Sequence, residues 1–179
     1  CIDTMSDSGV AALRSVLDIP VIGPGRASMV TAMLLGSRFS VVTMWKHWFH
    51  LYEKTISDLS IQDHVASIRS IDVAPDNQSL LAGKEEDIFP LLLAEADAAI
   101  AEDGADVILL GSTTMHQAHK HLSDNLDVPV INPGPLTYKL VEAMLGLGLS
   151  HSRAAYPASP VPRTEMIAAM MAAAGQFEH

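Results

Sequence analysis

The sequence contains a single cysteine, Cys1, and one dense run of hydroxyl side chains, Ser112, Thr113 and Thr114, directly behind Gly111 and an apolar segment. A thiol ionises near pH ~8.5, low enough for nearby positive potential to turn it into a base or nucleophile. Hydroxyls beside free backbone N–H groups suit a carboxylate or a developing oxyanion. Together these residue types offer a base or nucleophile and a site for an anion. Thr43 likewise follows an apolar run, and Asn132 and Gly134 lie in a Pro/Gly turn. His116, His119 and His121 invite a metal reading, but on a helix only the first two share a face. No acid or second cysteine nearby completes a ligand shell, so no metal is expected. His116 stands instead as a candidate acid or substrate contact. His47 and His50, among Trp45, Trp48 and Phe49, read as packing or pocket lining. Arg69 and Arg153 read as surface ion pairs, with a carboxylate clamp as the alternative. Asp3 and Asp7 read as solvated loop acids, the alternative being orientation of Cys1 or a substrate amine.

The elements that must position these residues carry an internal repeat. The segment Asp18-Ile-Pro-Val-Ile-Gly-Pro-Gly25 recurs as Asp127-Val-Pro-Val-Ile-Asn-Pro-Gly134, and each copy leads into a helical pattern containing Ala-Met-Leu. Thr4-Met5 pairs with Thr114-Met115 in the same alignment, which brings Cys1 opposite Gly111 or Ser112. Short Val/Ile runs predict strands at 19–22, 39–43, 65–73, 106–110 and 128–131. Helical periodicity predicts helices over 9–17, 27–35, 46–59, 85–101, 116–126 and 136–147. Alternation of this kind specifies βα units and a parallel sheet. The expected fold is α/β, with two pseudo-symmetric lobes of parallel sheet flanked by helices and an active site in the cleft between them. Ligands of such sheets bind beyond the carboxyl ends of the strands, which is where the repeat puts Cys1 and Ser112. Residues 1–37 are read as the remainder of the first lobe, 38–134 as the second, and 135–179 as C-terminal helices returning to the first. By symmetry the first lobe lacks its opening strands, so an N-terminal fragment of the same protein is an expected partner. Residues 74–83 read as a loop, and Pro157, Pro160 and Pro162 mark 156–163 as a linker or strap. The Ala/Met helix at 165–174 is expected to pack on a neighbour or a second subunit.

Composition limits the function classes. The 179 residues are 49% hydrophobic and 18% charged, a globular balance. Lys and Arg number 11 against 21 Asp and Glu, a net charge of −10 that repels phosphate backbones and anionic lipid. Nucleic acid and membrane are therefore not expected partners; a small-molecule substrate is. Apolar runs fall far short of the ~20 residues of a spanning helix. One cysteine gives no disulfide framework and fits a reducing compartment, the cytoplasm. Residues 2–7 have neither a basic nor an apolar region, so no signal peptide is read there. The apolar terminal helix makes a homo-oligomer the expected assembly.

The residues resemble the aspartate/glutamate/hydantoin racemase superfamily, hydantoin-racemase branch. The resemblance rests on Cys1 with Asp3, Gly9 and Arg14, on Ile19 to Gly23, Arg38 to Thr43, Leu110 to Thr113, Val128 to Ile131, and the tail Gly148 to Arg153. It implies two cysteines at the ends of equivalent strands, one removing the α-proton and the other returning it from the opposite face, with no cofactor or metal. Cys1 falls on the first position. The second reads Ser112, between Gly111 and Thr113, and a serine hydroxyl is a far poorer base than a thiolate. The expected site is then one thiol facing a hydroxyl wall at the mouth of a helix beginning near Met115. In this reading Cys1 and Ser112 are catalytic, and Thr43, Gly111, Thr113, Thr114, Asn132 and His116 bind substrate. The implied activity is a cofactor-independent racemase or isomerase acting on a small carboxylate or a hydantoin-like cyclic ureide. Three alternatives stay open: a single-thiol decarboxylase or lyase, an amidohydrolase whose self-cleavage exposes Cys1 with its own α-amine, and a non-enzymatic binding relative.

Overall fold

Every residue of β1 (Phe39–Thr43) and β3 (Val107–Leu110) is buried, as expected of parallel strands covered on both faces. The computed structural model describes residues 1–74, 87–158, 160–161 and 163–175. In it β1 pairs in parallel with β2 (Val65–Ser70) on one side and β3 on the other, and β3 pairs in parallel with β4 (Val130–Ile131). The four-stranded sheet therefore has the order β2-β1-β3-β4. Around it lie α1 (Val10–Val16), α2 (Pro24–Leu35), α3 (Phe49–Leu59), α4 (Phe89–Ala101), α5 (Ala118–Asn125) and α6 (Pro133–Gly146), with α7 (Thr164–Ala174) last.

Alternate strand residues feed two cores. Phe39, Val41, Val107 and Leu109 face Met29 and Ala32 of α2 and Tyr52 and Ile56 of α3. Val42, Ile108 and Leu110 face Leu92, Ala96 and Ala99 of α4 and Ala118 and Leu122 of α5. Each fully buried large side chain among these contributes about 1.5–3 kcal/mol. The chain leaves β1 through α3 to reach β2, then returns through α4, on the opposite face, to β3. Connections diverge in this way only between β1 and β3, and the carboxyl ends of those two strands form the crevice of the sheet.

Local sequence explains the element ends, and it explains most departures from expectation. Both α2 and α6 begin at a proline, whose fixed φ and missing N–H fit a first helical position, so they start earlier than 27 and 136. The predicted strand at 106–110 starts one residue late because the Asp106 carboxylate accepts from the N–H groups of Ser37 and Arg38, both at 2.9 Å. β4 is shorter than 128–131 because Pro129 has no N–H to give a ladder. β2 ends at Ser70, and Asp72 beyond it takes a left-handed φ of 52°. The helix predicted over 46–59 is divided into a 3-10 turn, Lys46–Trp48, and α3. The helix predicted from 85 begins at Phe89 within the described residues. Segment 19–22 is not a strand. It is extended, with one backbone bond from Ile2 N–H to Ile22 O at 3.0 Å, while the Arg14 guanidinium donates to Val21 O at 2.9 Å. A strand requires a ladder, and a single bond does not make one. Beyond Ala74 the loop read at 74–83 lies outside the described residues, as do two positions of the strap at 156–163. Tyr156, at the start of that strap, stacks on Arg14 with 4.9 Å between guanidinium carbon and ring centre. α7 buries none of its residues. No helix of the described residues is long and apolar enough to cross a membrane.

Candidate functional site

The crevice between the carboxyl ends of β1 and β3 holds a cleft of about 320 Å³. One wall is Asp3, Thr4 and Met5; the opposite wall is Gly111 to Thr114; Trp48, Leu51 and Tyr52, from the 3-10 turn and α3, supply an apolar side. The two walls are the segments that the repeat aligns, brought together across the sheet edge.

The second wall is built tightly. Gly111 continues the ladder, its N–H donating to Val42 O at 2.8 Å, while its carbonyl accepts from the Tyr52 hydroxyl at 2.6 Å. A Cβ on Gly111 would lie 2.6 Å from Thr43 Cβ and 2.8 Å from the Tyr52 oxygen, so this position admits only glycine. Ser112 leaves the strand extended and caps a 3-10 turn, Thr113–Met115, its Oγ accepting from Thr114 N–H at 3.3 Å and pairing with Thr114 Oγ1 at 2.9 Å. The α-helix expected to open near Met115 opens at Ala118, so Ser112–Thr114 lie at a 3-10 turn rather than at an α-helix mouth. What they present there is hydroxyls and turn N–H groups, without an adjacent α-helix dipole.

Cys1 is exposed and precedes the first wall by two residues; the Ile2–Ile22 bond fixes the chain between them. Thr43 is fully buried. Its hydroxyl sits 2.8 Å from the Tyr52 oxygen, so it reaches the cleft only through Tyr52. Burial pushes the Tyr52 phenol up to about 12, so it is a neutral hydrogen-bonding group rather than an acid or base near neutral pH. Asn132 lies behind the second wall, its amide donating to His116 O at 3.4 Å, and its Oδ1 is buried without a partner. The His116 ring is exposed. The Thr113 Cβ lies 3.9 Å from where a side chain on Gly134 would start, so the second repeat loop backs this turn.

Other candidates serve the scaffold. Asp7 is not a free loop acid: its carboxylate accepts from Gly25 N–H and Arg26 N–H, each at 2.8 Å, at the start of α2. Burial raises its pKa while those bonds pull it down. Arg69 pairs with Asp103 at 2.6 Å and with Glu102 and Glu95, holding the Asp103 carboxyl down to about 2. Arg153 donates to Arg14 O at 2.8 Å and pairs with Asp18, closing the end of α1. His119 contacts Val130 O at 3.0 Å and His121 packs on Phe89. Among the described residues no three His, Cys, Asp or Glu side chains gather as a metal site. Sequence reasoning missed Leu51 and Tyr52. The available signal was the four-residue spacing of Trp48 and Tyr52, which puts a second aromatic on the same helix face.

A family model described as Asp/Glu/Hydantoin racemase matches residues 2–141. The chain is 36% identical over 156 residues to a hydantoin racemase of Rhizobium meliloti, covering 84% of this chain and 63% of that protein. It is 33% identical over 149 residues to one of Pseudomonas sp. strain NS671, covering 82% and 58%. Among solved structures it superposes on an allantoin racemase from Klebsiella pneumoniae with a TM-score of 0.81 at 28% identity, covering 90% of this chain and 65% of that one. An allantoin racemase from Pseudomonas fluorescens gives 0.78 at 27%, covering 89% and 67%. The chain thus spans about three fifths of the length of the curated relatives it matches. With the family model spanning residues 2–141 and more than 30% identity to hydantoin racemases over four fifths of its length, the chain belongs to the Asp/Glu/hydantoin racemase family.

Proposed function

We propose that this chain carries the proton-transfer site of a cofactor-independent isomerase acting on a small carboxylate or a hydantoin-like cyclic ureide. The carrying observation is that the repeat-marked segments Asp3–Met5 and Gly111–Thr114 line one small cleft at the crevice of the sheet. The names of the relatives, hydantoin racemase and allantoin racemase, favour a five-membered ureide ring. In this reading the Cys1 thiolate takes the proton from the ring carbon beside the carbonyl. The C–H electron pair enters the carbon–carbon bond of an enolate, and the carbonyl oxygen takes the negative charge. The Ser112, Thr113 and Thr114 hydroxyls and the turn N–H groups hold that oxygen or a carboxylate, while Gly111, Asn132 and His116 shape the wall. A proton returned to the opposite face inverts the centre; returned to the same face it gives exchange alone. Ser112 makes the second outcome the faster one, since a hydroxyl is a weak partner for proton return.

The same proposal completes the first lobe over α6 with further sequence of the same protein, 1–37 and 135–179 contributing to that lobe and 38–134 forming the second, onto whose sheet α2 also packs. It also places the protein in a reducing compartment, the cytoplasm, as an oligomer of identical chains. The support for a missing cover is the apolar surface of α1, α2 and α6 around a 420 Å³ groove lined by Val10, Val30, Leu34, Leu140 and Met144.

The test is proton exchange of each enantiomer of a 5-substituted hydantoin in deuterated water, followed by NMR, with inversion followed by optical rotation. Exchange of one enantiomer faster than inversion, abolished in Cys1→Ala, is the expected result, and Ser112→Cys should raise inversion by about tenfold or more. Exchange that survives Cys1→Ala, or none with either enantiomer, overturns the reading.

A further inference from the structure

Among the side chains that line the cleft, the most deeply buried polar one belongs to none of the residues that the family resemblance marks. Tyr52 is 1% exposed, yet it lines the cleft floor between the two walls. Its hydroxyl has one proton, and that proton goes to Gly111 O at 2.6 Å. The contact with Thr43 Oγ1 at 2.8 Å must therefore be donated by Thr43 to the Tyr52 oxygen. The result is a directed chain, from Thr43 on β1 through Tyr52 on α3 to Gly111 at the end of β3.

That chain governs the second wall. The Gly111–Ser112 peptide is planar and trans, so its N–H points opposite to its C=O. With the carbonyl drawn onto Tyr52, the Ser112 N–H is turned away from α3, and the Ser112 hydroxyl with its Thr114 bonds follows from that orientation. Gly111 cannot adjust by bulk, because the same Tyr52 oxygen and Thr43 fill the space where a Cβ would be. Tyr52 also shares its core with Met5, at the foot of the first wall. One side chain thus bonds the support of the second wall and shares the core that seats the first.

We propose that Tyr52 is a positioning residue of this site, whose hydroxyl, aimed by Thr43, holds the Gly111 carbonyl and sets the Ser112–Thr114 wall at its working distance from Asp3–Met5. This inference rests on the proton-transfer reading for its kinetic consequence, although its structural consequence stands apart from that reading.

The experiment compares the parent protein with Tyr52→Phe, Thr43→Val and the double variant, by hydantoin proton exchange, thermal midpoint and the backbone 15N–1H spectrum. Tyr52→Phe is expected to lower kcat tenfold or more with KM changed less than threefold, well below its thermal midpoint, and to move the Ser112 and Thr113 amide signals. In that background Thr43→Val removes the orphaned hydroxyl, so the thermal midpoint recovers while kcat does not. Thr43→Val alone lowers kcat by a smaller factor and is the informative variant if Tyr52→Phe does not fold. A kcat within twofold of the parent in the folded variant, or a kcat that recovers together with the thermal midpoint, overturns the proposal. If the parent shows no exchange, the proton-transfer reading fails by itself. The amide signals then decide alone: unmoved Ser112 and Thr113 signals in the variants overturn the positioning role, and displaced ones support it.

Discussion

The two copies of the repeat begin with nearly the same eight residues and end in different surroundings. In the first, Asp18 to Gly25, the loop is locked from inside the chain: Asp7 bonds Gly25 N–H and Arg26 N–H, and a Cβ on Gly25 would lie 2.2 Å from Met5 O. In the second, Asp127 to Gly134, Asn132 stands in place of Gly23, no side chain caps the helix, and the nearest neighbour to a Cβ on Gly134 is Thr113 at 3.9 Å. The helices that follow diverge further. Met29, the fifth residue after Pro24, is fully buried against β1 and β3, while Tyr138, the fifth after Pro133, is 53% exposed. One copy thus lays its helix on a finished sheet, while its twin is buried at Pro133, Gly134 and Thr137 but leaves Tyr138 outside any core of the described residues. A helix of this pattern gains its stability from the surface it covers more than from its own residues.

The largest test of this contrast pairs Met29→Ala with Tyr138→Ala in urea unfolding. The first should cost about 2–5 kcal/mol by loss of buried volume, the second about 0.5 kcal/mol or less. A form of the protein in which a sheet covers α6 should raise the cost at Tyr138 to about 3–5 kcal/mol, and that change would sharpen the comparison. Next comes the glycine pair. Gly25→Ala meets backbone that cannot rotate away and should cost about 1–3 kcal/mol, whereas Gly134→Ala has ordinary van der Waals room and should be neutral or add about 0.4–1 kcal/mol. Equal effects at the two positions would break the argument that Asp7 and Met5 tie down the first loop alone.

The smallest test is pH dependence, and it has opposite signs in two parts of the chain. Burial raises Asp7 above its ordinary 3.8, so its folded form binds protons more tightly than its unfolded form. The stability this gives is complete below 3.8 and is lost as pH rises through the raised folded value. Arg69 lowers Asp103 to about 2, so its contribution is complete above 3.8 and is lost as pH falls toward 2. In urea midpoints measured across that range, Asp7→Asn should gain on the parent as pH rises, and Asp103→Asn should gain as pH falls. The Asp103 effect stays within about 0–1 kcal/mol because its pair is at the surface.

Much of the fold was legible because β3 is an unbroken apolar run and β1 interrupts Phe39, Val41 and Val42 only with the small Ser40, a pattern that suits parallel strands covered on both faces. The segment 19–22 has the same kind of residues but no ladder, since a strand's existence depends on a partner that its own letters do not supply. Ser112–Thr114 was legible as a hydroxyl wall from type and position alone. Its 3-10 geometry was not, because the burial of Met115 and the bond from Asn132 to the His116 carbonyl join parts of the chain that meet only on folding. Thr43 looked from sequence like a cleft residue, and burial turned it into the partner of Tyr52.

The apolar strand segments, the duplicated loops, the glycine before Ser112 and the single thiol can be read from residue order alone, since hydrophobic period and backbone chemistry are local properties. Folding settles which copy of the repeat packs on the sheet, that Asp7 serves a helix start, and that Tyr52 reaches across from α3 to Gly111. These are contacts between residues 18 and 59 positions apart, and their energy comes from burial and directed hydrogen bonds that exist only once the chain has closed on itself.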